Sequence, residues 1–352
     1  MNEHTIAIPK LWGLDELLKW GSTLFCSPHA DRYYIDFKDM GWMEPFPLLF
    51  LSSNILRFQK MHQESEFLPR NFQQHPYAAH MGFFRSLSID FGNKPGEAKG
   101  SDTYLPINIL SIRDLHKQAT NEAIHIGQLL ENHARQLAKL LTREDKSNLT
   151  DTLTYTLREI MRNAVEHSES DSFLYCGQYW PTKNMVQVAI LDSGIGVKKS
   201  LSRNQKIRIT SDEHALRLST LPGISGKPFS STIEAYDAWE NSGYGLYLTK
   251  RLCTNGGSFF ICSGNKGLSS KPNKPEKYLD ADFQGTALRL SLDKNSTASL
   301  QTALRQFRIE GEKIAKMFID GIPSASASSR GIMSREEKNG TRNHSSNRKR
   351  KI

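Results

Sequence analysis

Only four cysteines occur in the 352 residues, Cys26, Cys176, Cys253 and Cys262, and none forms a C-x-x-C pair. That leaves no basis for a disulfide framework or a thiolate zinc motif. Cys176, Cys253 and Cys262 stand in apolar, strand- or helix-like contexts. They read as buried thiols, and a reducing, cytoplasmic compartment is expected. No apolar run reaches the roughly 18 residues of a membrane-spanning helix. The densest, Phe46-Pro47-Leu48-Leu49-Phe50-Leu51, is far too short. The first residues, Met1-Asn2-Glu3-His4, carry no basic segment followed by an apolar one, so no secretory signal is expected. There is no internal repeat, no Walker A motif, no nucleophile elbow and no His/Cys cluster with zinc spacing.

The length suggests two domains of about 100–200 residues each. Net charge is +9, from 46 Lys+Arg against 37 Asp+Glu. Residues 330–352 hold eight Lys/Arg and two Glu, a net of +6, which leaves +3 for everything before them. The basicity therefore belongs to the tail rather than to a folded nucleic-acid surface. Nucleic acid is expected only as a weak, nonspecific contact of that tail.

Residues 1–105 alternate helix-like and strand-like pieces: a helix over 11–25, a strand over 33–37, a helix over 47–61, a strand over 66–68 and a helix over 76–87. This predicts a small α/β layer. A Gly/Pro/Lys-rich stretch over 91–106 marks the expected boundary. Residues 106–147 read as a helical linker, with Ile109, Ile112, Leu115, Ala119, Ile126, Leu130, Leu137 and Leu141 as its apolar members. A second α/β region spans 148–293, a helix 294–320, and a Ser/Asn/Arg/Lys-rich tail 321–352, expected to be disordered.

Four segments of the second region could carry chemistry. Within the helix 151–167, Leu153, Leu157, Ile160, Met161 and Ala164 form one apolar stripe. Glu159, Asn163 and Glu166 share another face, within about 60° of each other. A carboxylate and a carboxamide one turn apart suit a hydrated Mg²⁺ ion, although a solvated helix face would show the same pattern. Next, the strand 185–191 runs into Asp192-Ser193-Gly194-Ile195-Gly196. A carboxylate there can accept a hydrogen bond from a buried exocyclic amine, with glycines turning the backbone closely around a planar ligand; an ordinary turn is the alternative. Then Asn241-Ser242-Gly243-Tyr244-Gly245-Leu246 opens a helix, and free backbone N–H groups at such a start suit a phosphate. Last, Gln284-Gly285-Thr286 opens the strand 284–292, where a hydroxyl can reach a base edge.

In this order and spacing, the four segments resemble the ATP-binding domain of the GHKL superfamily, which includes gyrase, the heat-shock chaperone, histidine kinases and mismatch-repair ATPases. Asn163-Ala164-Val165-Glu166-His167 and Pro222-Gly223-Ile224-Ser225 are similar to the anti-sigma-factor serine kinase branch. The resemblance implies an α/β chain whose second domain is a Bergerat-type α+β two-layer sandwich, with ATP and Mg²⁺ as cofactors. It implies Asn163 as the Mg²⁺ ligand, and Glu159 as the base that orients or deprotonates the attacking water or hydroxyl. Asp192 would receive the adenine amine, Gly194 and Gly196 would wall the base, Gly243, Gly245 and Leu246 would hold the phosphates, and Thr286 would back the adenine. Lys227 and the Lys/Arg of 198–208 stay open between phosphate contact and solvated lysine. His167 reads as a helix-end residue near the nucleotide rather than a catalyst.

The rest of the chain shapes the functional expectation. His116, His125 and His133 lack the acid and proline context of a phospho-accepting histidine, and little chain follows 292 to serve as a transducer. Phosphoryl transfer to a protein Ser/Thr, or ATP hydrolysis in intracellular signalling, is the first expectation. A non-catalytic nucleotide-controlled switch, or a divergent histidine kinase, is the alternative. The N-terminal region faintly resembles STAS domains around Tyr34-Ile35-Asp36-Phe37, but Pro45 or Phe46 stands where the phospho-acceptor serine would fall. A protein partner or substrate is expected, its identity unknown, with homodimerisation open and no membrane association.

Overall fold

The computed structural model describes residues 1–10, 13–98, 103–226, 243–296 and 299–318. Lys227, the pair Asn241-Ser242 and the tail over 321–352 lie outside the described residues.

The N-terminal segments alternate as their patterns predict. Strands β1 (Glu3–Ala7), β2 (Arg32–Asp36) and β3 (Glu66–Arg70) form a parallel sheet in the order β1-β2-β3. Parallel pairing requires a crossover, which helices α1 (Leu14–Leu24) and α2 (Pro45–Met61) supply. The expected helix over 76–87 is two short ones, α3 (Pro76–His80) and α4 (Phe83–Ser86), separated at Met81 and Gly82.

The expected linker differs from its reading. Tyr104–Ser111 is a strand, β4, paired antiparallel with β5 (Ser172–Trp180), so residues from 106 onward do not begin as helix. Helix α5 (Ile112–Asn121) starts only where Ser111 Oγ accepts the Asp114 N–H at 3.2 Å. Helices α6 (Ile126–Thr142) and α7 (Asn148–His167) follow. After β5 come β6 (Met185–Asp192), α8 (Gly196–Leu201), α9 (Asp212–Ser219), α10 (Gly245–Thr254), β7 (Ser258–Ser270), β8 (Lys277–Asp293) and α11 (Leu300–Phe318). The second sheet is antiparallel throughout, in the order β4-β5-β6-β8-β7.

Both faces of this sheet are buried. Val186, Val188, Ile190, Leu288, Leu290 and Leu292 pack with the apolar stripes of α6 and α7. Ala189, Leu191, Ala287, Phe260 and Cys262 point the other way, into a core shared with α2 and the parallel sheet. Phe46 meets Phe260 edge-on at 5.3 Å, and Phe50 stacks on Phe283 at 5.4 Å. This is why α2 is apolar around most of its circumference: it is sandwiched between two sheets. The glycine-rich stretch over 91–106 therefore does not separate two cores. The ion pairs Arg57–Asp282 at 2.7 Å and Lys277–Asp15 at 2.8 Å also cross between the regions. No described helix is long and apolar enough to cross a membrane.

Candidate functional site

The site forms where β6 ends, on the sheet face that carries α7 and α10. Antiparallel register sets Asp192 opposite Thr286 and Ile190 opposite Leu288, with Ile261 beyond Leu288 on β7. Alternation puts these side chains on one face. Ile160, Asn163, Ala164 and His167 of α7 close one side of the cleft, and Gly196, Val197, Ser200 and Leu201 of α8 close another. Ser219 and the turn Ile224-Ser225-Gly226 roof it, while Gly243, Gly245 and Leu246 lie at the start of α10. Of the expected site residues, Asn163, Asp192, Gly196, Gly243, Gly245, Leu246 and Thr286 thus line one cleft. The cavity volume of the cleft is about 110 Å³, and about 840 Å³ once the open solvent at its mouth is counted. Small-molecule sites typically run to about 300–1,000 Å³, so a nucleotide here would fill the mouth as well as the interior.

Asp192 is 5% exposed. Burial pushes its carboxyl up to about 6, against the pull of the backbone N–H groups of Gly194 and Thr286. Gly194 donates to Asp192 Oδ1 at 3.0 Å. Gly194 does not line the cleft. A β-carbon there would stand 2.0 Å from the Ser168 carbonyl oxygen, to which Ile195 N–H donates at 2.8 Å. The close approach of this turn to the end of α7 is what requires the glycine.

Glu159 also stands outside the cleft lining, and its face of α7 is not solvated. Its side chain is buried, with Oε1 accepting from Arg158 Nη2 at 2.6 Å and Nε at 3.1 Å. Arg158, 3% exposed, extends on to Glu131 of α6 at 3.5 Å. Glu159 Oε2 packs against Gly245, where a β-carbon would come within 2.1 Å of it. Glu166 accepts from Arg162 at 2.6 Å. The three polar residues that share a helical face thus have different surroundings: Glu159 is inside, Asn163 lines the cleft and Glu166 is paired.

The residues fit a purine nucleotide in three respects. A buried carboxylate of raised pKa faces the cleft beside a threonine. Apolar side chains from α7, β6, β7 and β8 offer a flat wall. The side chain of Tyr244, the N-cap residue of α10, makes no capping bond to the first turn, whose N–H groups suit an anion. Among the described residues Asn163 could give Mg²⁺ an amide oxygen, which suits an ion held mainly by phosphates and water. No group of three or more His, Cys, Asp or Glu among the described residues could hold a metal ion.

Sequence reasoning missed the serines. Ser168, Ser200 and Ser219 line the cleft, and no spacing marks them; Ser225, in the Pro222-Gly223-Ile224-Ser225 segment, lines it as well. Ser263 Oγ accepts from Val197 N–H at 2.9 Å and donates to the Gly285 carbonyl at 2.6 Å, which fixes α8 to β8. Compared with known proteins, the chain matches no family model and no curated protein.

Proposed function

We propose that this chain binds ATP in the cleft between β6, α7 and α10, as a divergent GHKL protein with a Bergerat-type second region, and acts inside the cell on a protein partner. The observation that carries this reading is Asp192, a buried carboxylate lining a mostly apolar cleft, opposite Thr286. Such a group has a purpose when an amine donor meets it there. Asp192 would accept the adenine amine, and Ile190, Ile261 and Leu288 would flank the ring. Gly243, Gly245 and the first turn of α10 would face the phosphates, with Asn163 Oδ1 toward the metal. Mg²⁺ bound with the nucleotide would offset charge on the phosphates.

Two activities are compatible with that binding. Phosphoryl transfer to a protein serine or threonine, or to water, needs Glu159 as base, and Glu159 must first leave Arg158 to reach the cleft. The engagement of Glu159 by Arg158 favours the second reading, a nucleotide-controlled switch with slow turnover. Calorimetry with Mg·ATP tests binding, and γ-labelled ATP, with and without cell extract, separates kinase, ATPase and switch. Absence of ATP binding by the full chain overturns the reading.

A further inference from the structure

We infer that a second cavity, between the two sheets, binds a small organic anion, a carboxylate or phosphate on an apolar body, with Arg289 as its charge partner. The cavity measures about 970 Å³, within the usual range for ligand sites. It is bounded by the start of α1, the 41–44 turn, the β7–β8 hairpin and the middle of β8. It lies on the opposite face of the antiparallel sheet from the nucleotide cleft, and the two share no lining residue.

Arg289 is the anomaly. It sits mid-strand on the face that packs against α2, between Ala189 of β6 and Phe260 of β7, with Ala287 two positions away. Its Nε is buried with no hydrogen-bond partner, and the guanidinium makes no ion pair among the described residues. Arg289 as a whole is half-buried, and the buried Nε–H left without a partner calls for an acceptor. Glu44, which lines the same cavity, accepts from Gln187 Nε2 at 3.0 Å. Desolvation holds the Arg289 guanidinium below its ordinary pKa, with Glu44 opposing.

The remaining lining is consistent with a ligand of this class. The cavity's other acids are occupied: Asp15 pairs with Lys277 at 2.8 Å, and Glu276 with Lys250 at 2.7 Å. Lys271 and Lys274 of the hairpin also line it, so positive charge is in excess. Leu17, Met43 and Leu279 are buried and supply the apolar wall. An arginine fork at the floor and lysines at the rim suit a carboxylate or phosphate end, and the apolar wall suits its body.

Calorimetry on the full chain with phenyl phosphate and with hexanoate tests this. Saturable binding of at least one is expected, and the preferred probe tells a phosphorylated ligand from a carboxylate. Arg289→Met keeps the volume and removes an unpaired charge, so it should fold at least as stably while binding at least about tenfold more weakly. Should it not fold, Lys271→Ala/Lys274→Ala on the exposed hairpin should still weaken binding and flatten its salt dependence. Asp192→Asn should leave this binding unchanged while weakening ATP, so failure of one site does not decide the other. No binding of either probe at millimolar concentration, or unaltered binding in the Arg289 and lysine variants, overturns the inference.

Discussion

The carboxylate of Glu159 occupies the space in which any side chain at position 245 would begin: a β-carbon on Gly245 would lie 2.1 Å from Oε2. One contact therefore couples the middle of α7 to the first turn of α10, two elements that line the proposed nucleotide cleft. Gly245→Ala must displace Glu159 or shift α10. Overpacking of this kind costs about 1–3 kcal/mol. In a Glu159→Ala background the obstruction is gone, and the same change should cost measurably less. Denaturant unfolding of the four proteins in a double-mutant cycle reads the coupling. Equal costs in both backgrounds would place the strain elsewhere.

Arg158 holds two carboxylates at once, Glu159 on its own helix and Glu131 on α6, with its guanidinium 4.9 Å from the Tyr155 ring centre. Removing one member of a buried ionic group leaves uncompensated charge, at a cost of about 3–5 kcal/mol. Arg158→Met should therefore be among the most destabilising substitutions in α7. If Arg158 also restrains Glu159, any surviving folded fraction should show turnover per bound nucleotide above wild type. Reduced stability with unchanged turnover per site would make the pair structural only.

Much of this arrangement is legible in the chain because short-range pattern governs it. The stripe of α7 and the β-branched run of β6 are periodic and stand close to where their patterns put them, whereas Gly285-Thr286 falls inside β8, which begins at Lys277 rather than at 284. β4 escaped for a local reason. Tyr104–Ser111 holds a proline and several isoleucines, and runs directly into α5 with no breaker between them. Strand and helix patterns merge there. The shared core escaped for a tertiary reason: no pattern within α2 says that Phe46 and Phe50 meet a sheet more than 200 residues away in sequence. The different fates of Glu159, Asn163 and Glu166 also depend on neighbours, since Arg158 and α10 decide what their helix face meets. Arg289 is the clearest case. Nothing in its strand of alternating leucines marks it, and only the tertiary placement of the neighbouring elements leaves it half-buried beside a cavity.

Asn163 lines the cleft from α7, where its amide oxygen would face a phosphate-bound cation. Asn163→Ala should lower the affinity for Mg·ATP while leaving metal-free adenosine binding unchanged, because the proposed reading assigns the base contacts to Asp192 and Thr286. Calorimetry with each ligand, with and without Mg²⁺, separates the two effects. An equal loss for adenosine would show that Asn163 supports the base rather than the metal.

Asp192 joins stability and binding with opposite signs. Its folded carboxyl is raised from 3.8 to about 6 by burial, so the folded state holds the proton more tightly than the unfolded chain. The stability this proton contributes is fully present below the unfolded value and is lost as pH rises through about 6. Above that, ionised Asp192 penalises the empty fold by about 3 kcal/mol at most. Asparagine keeps an oxygen to accept from Gly194 and carries no charge. Asp192→Asn should therefore melt higher than wild type at pH 7.5 without nucleotide, and the gap should close as pH falls from 6 toward 4. The same substitution turns an amine donor in the cleft from a charged acceptor to a neutral amide. That loss of about 1–3 kcal/mol corresponds to roughly 5- to 150-fold weaker ATP binding. Thermal melts across this pH range, paired with calorimetry at pH 7.5, measure both. A variant that is less stable at every pH and binds ATP as wild type does would leave Asp192 a structural residue, and the cleft without its adenine contact.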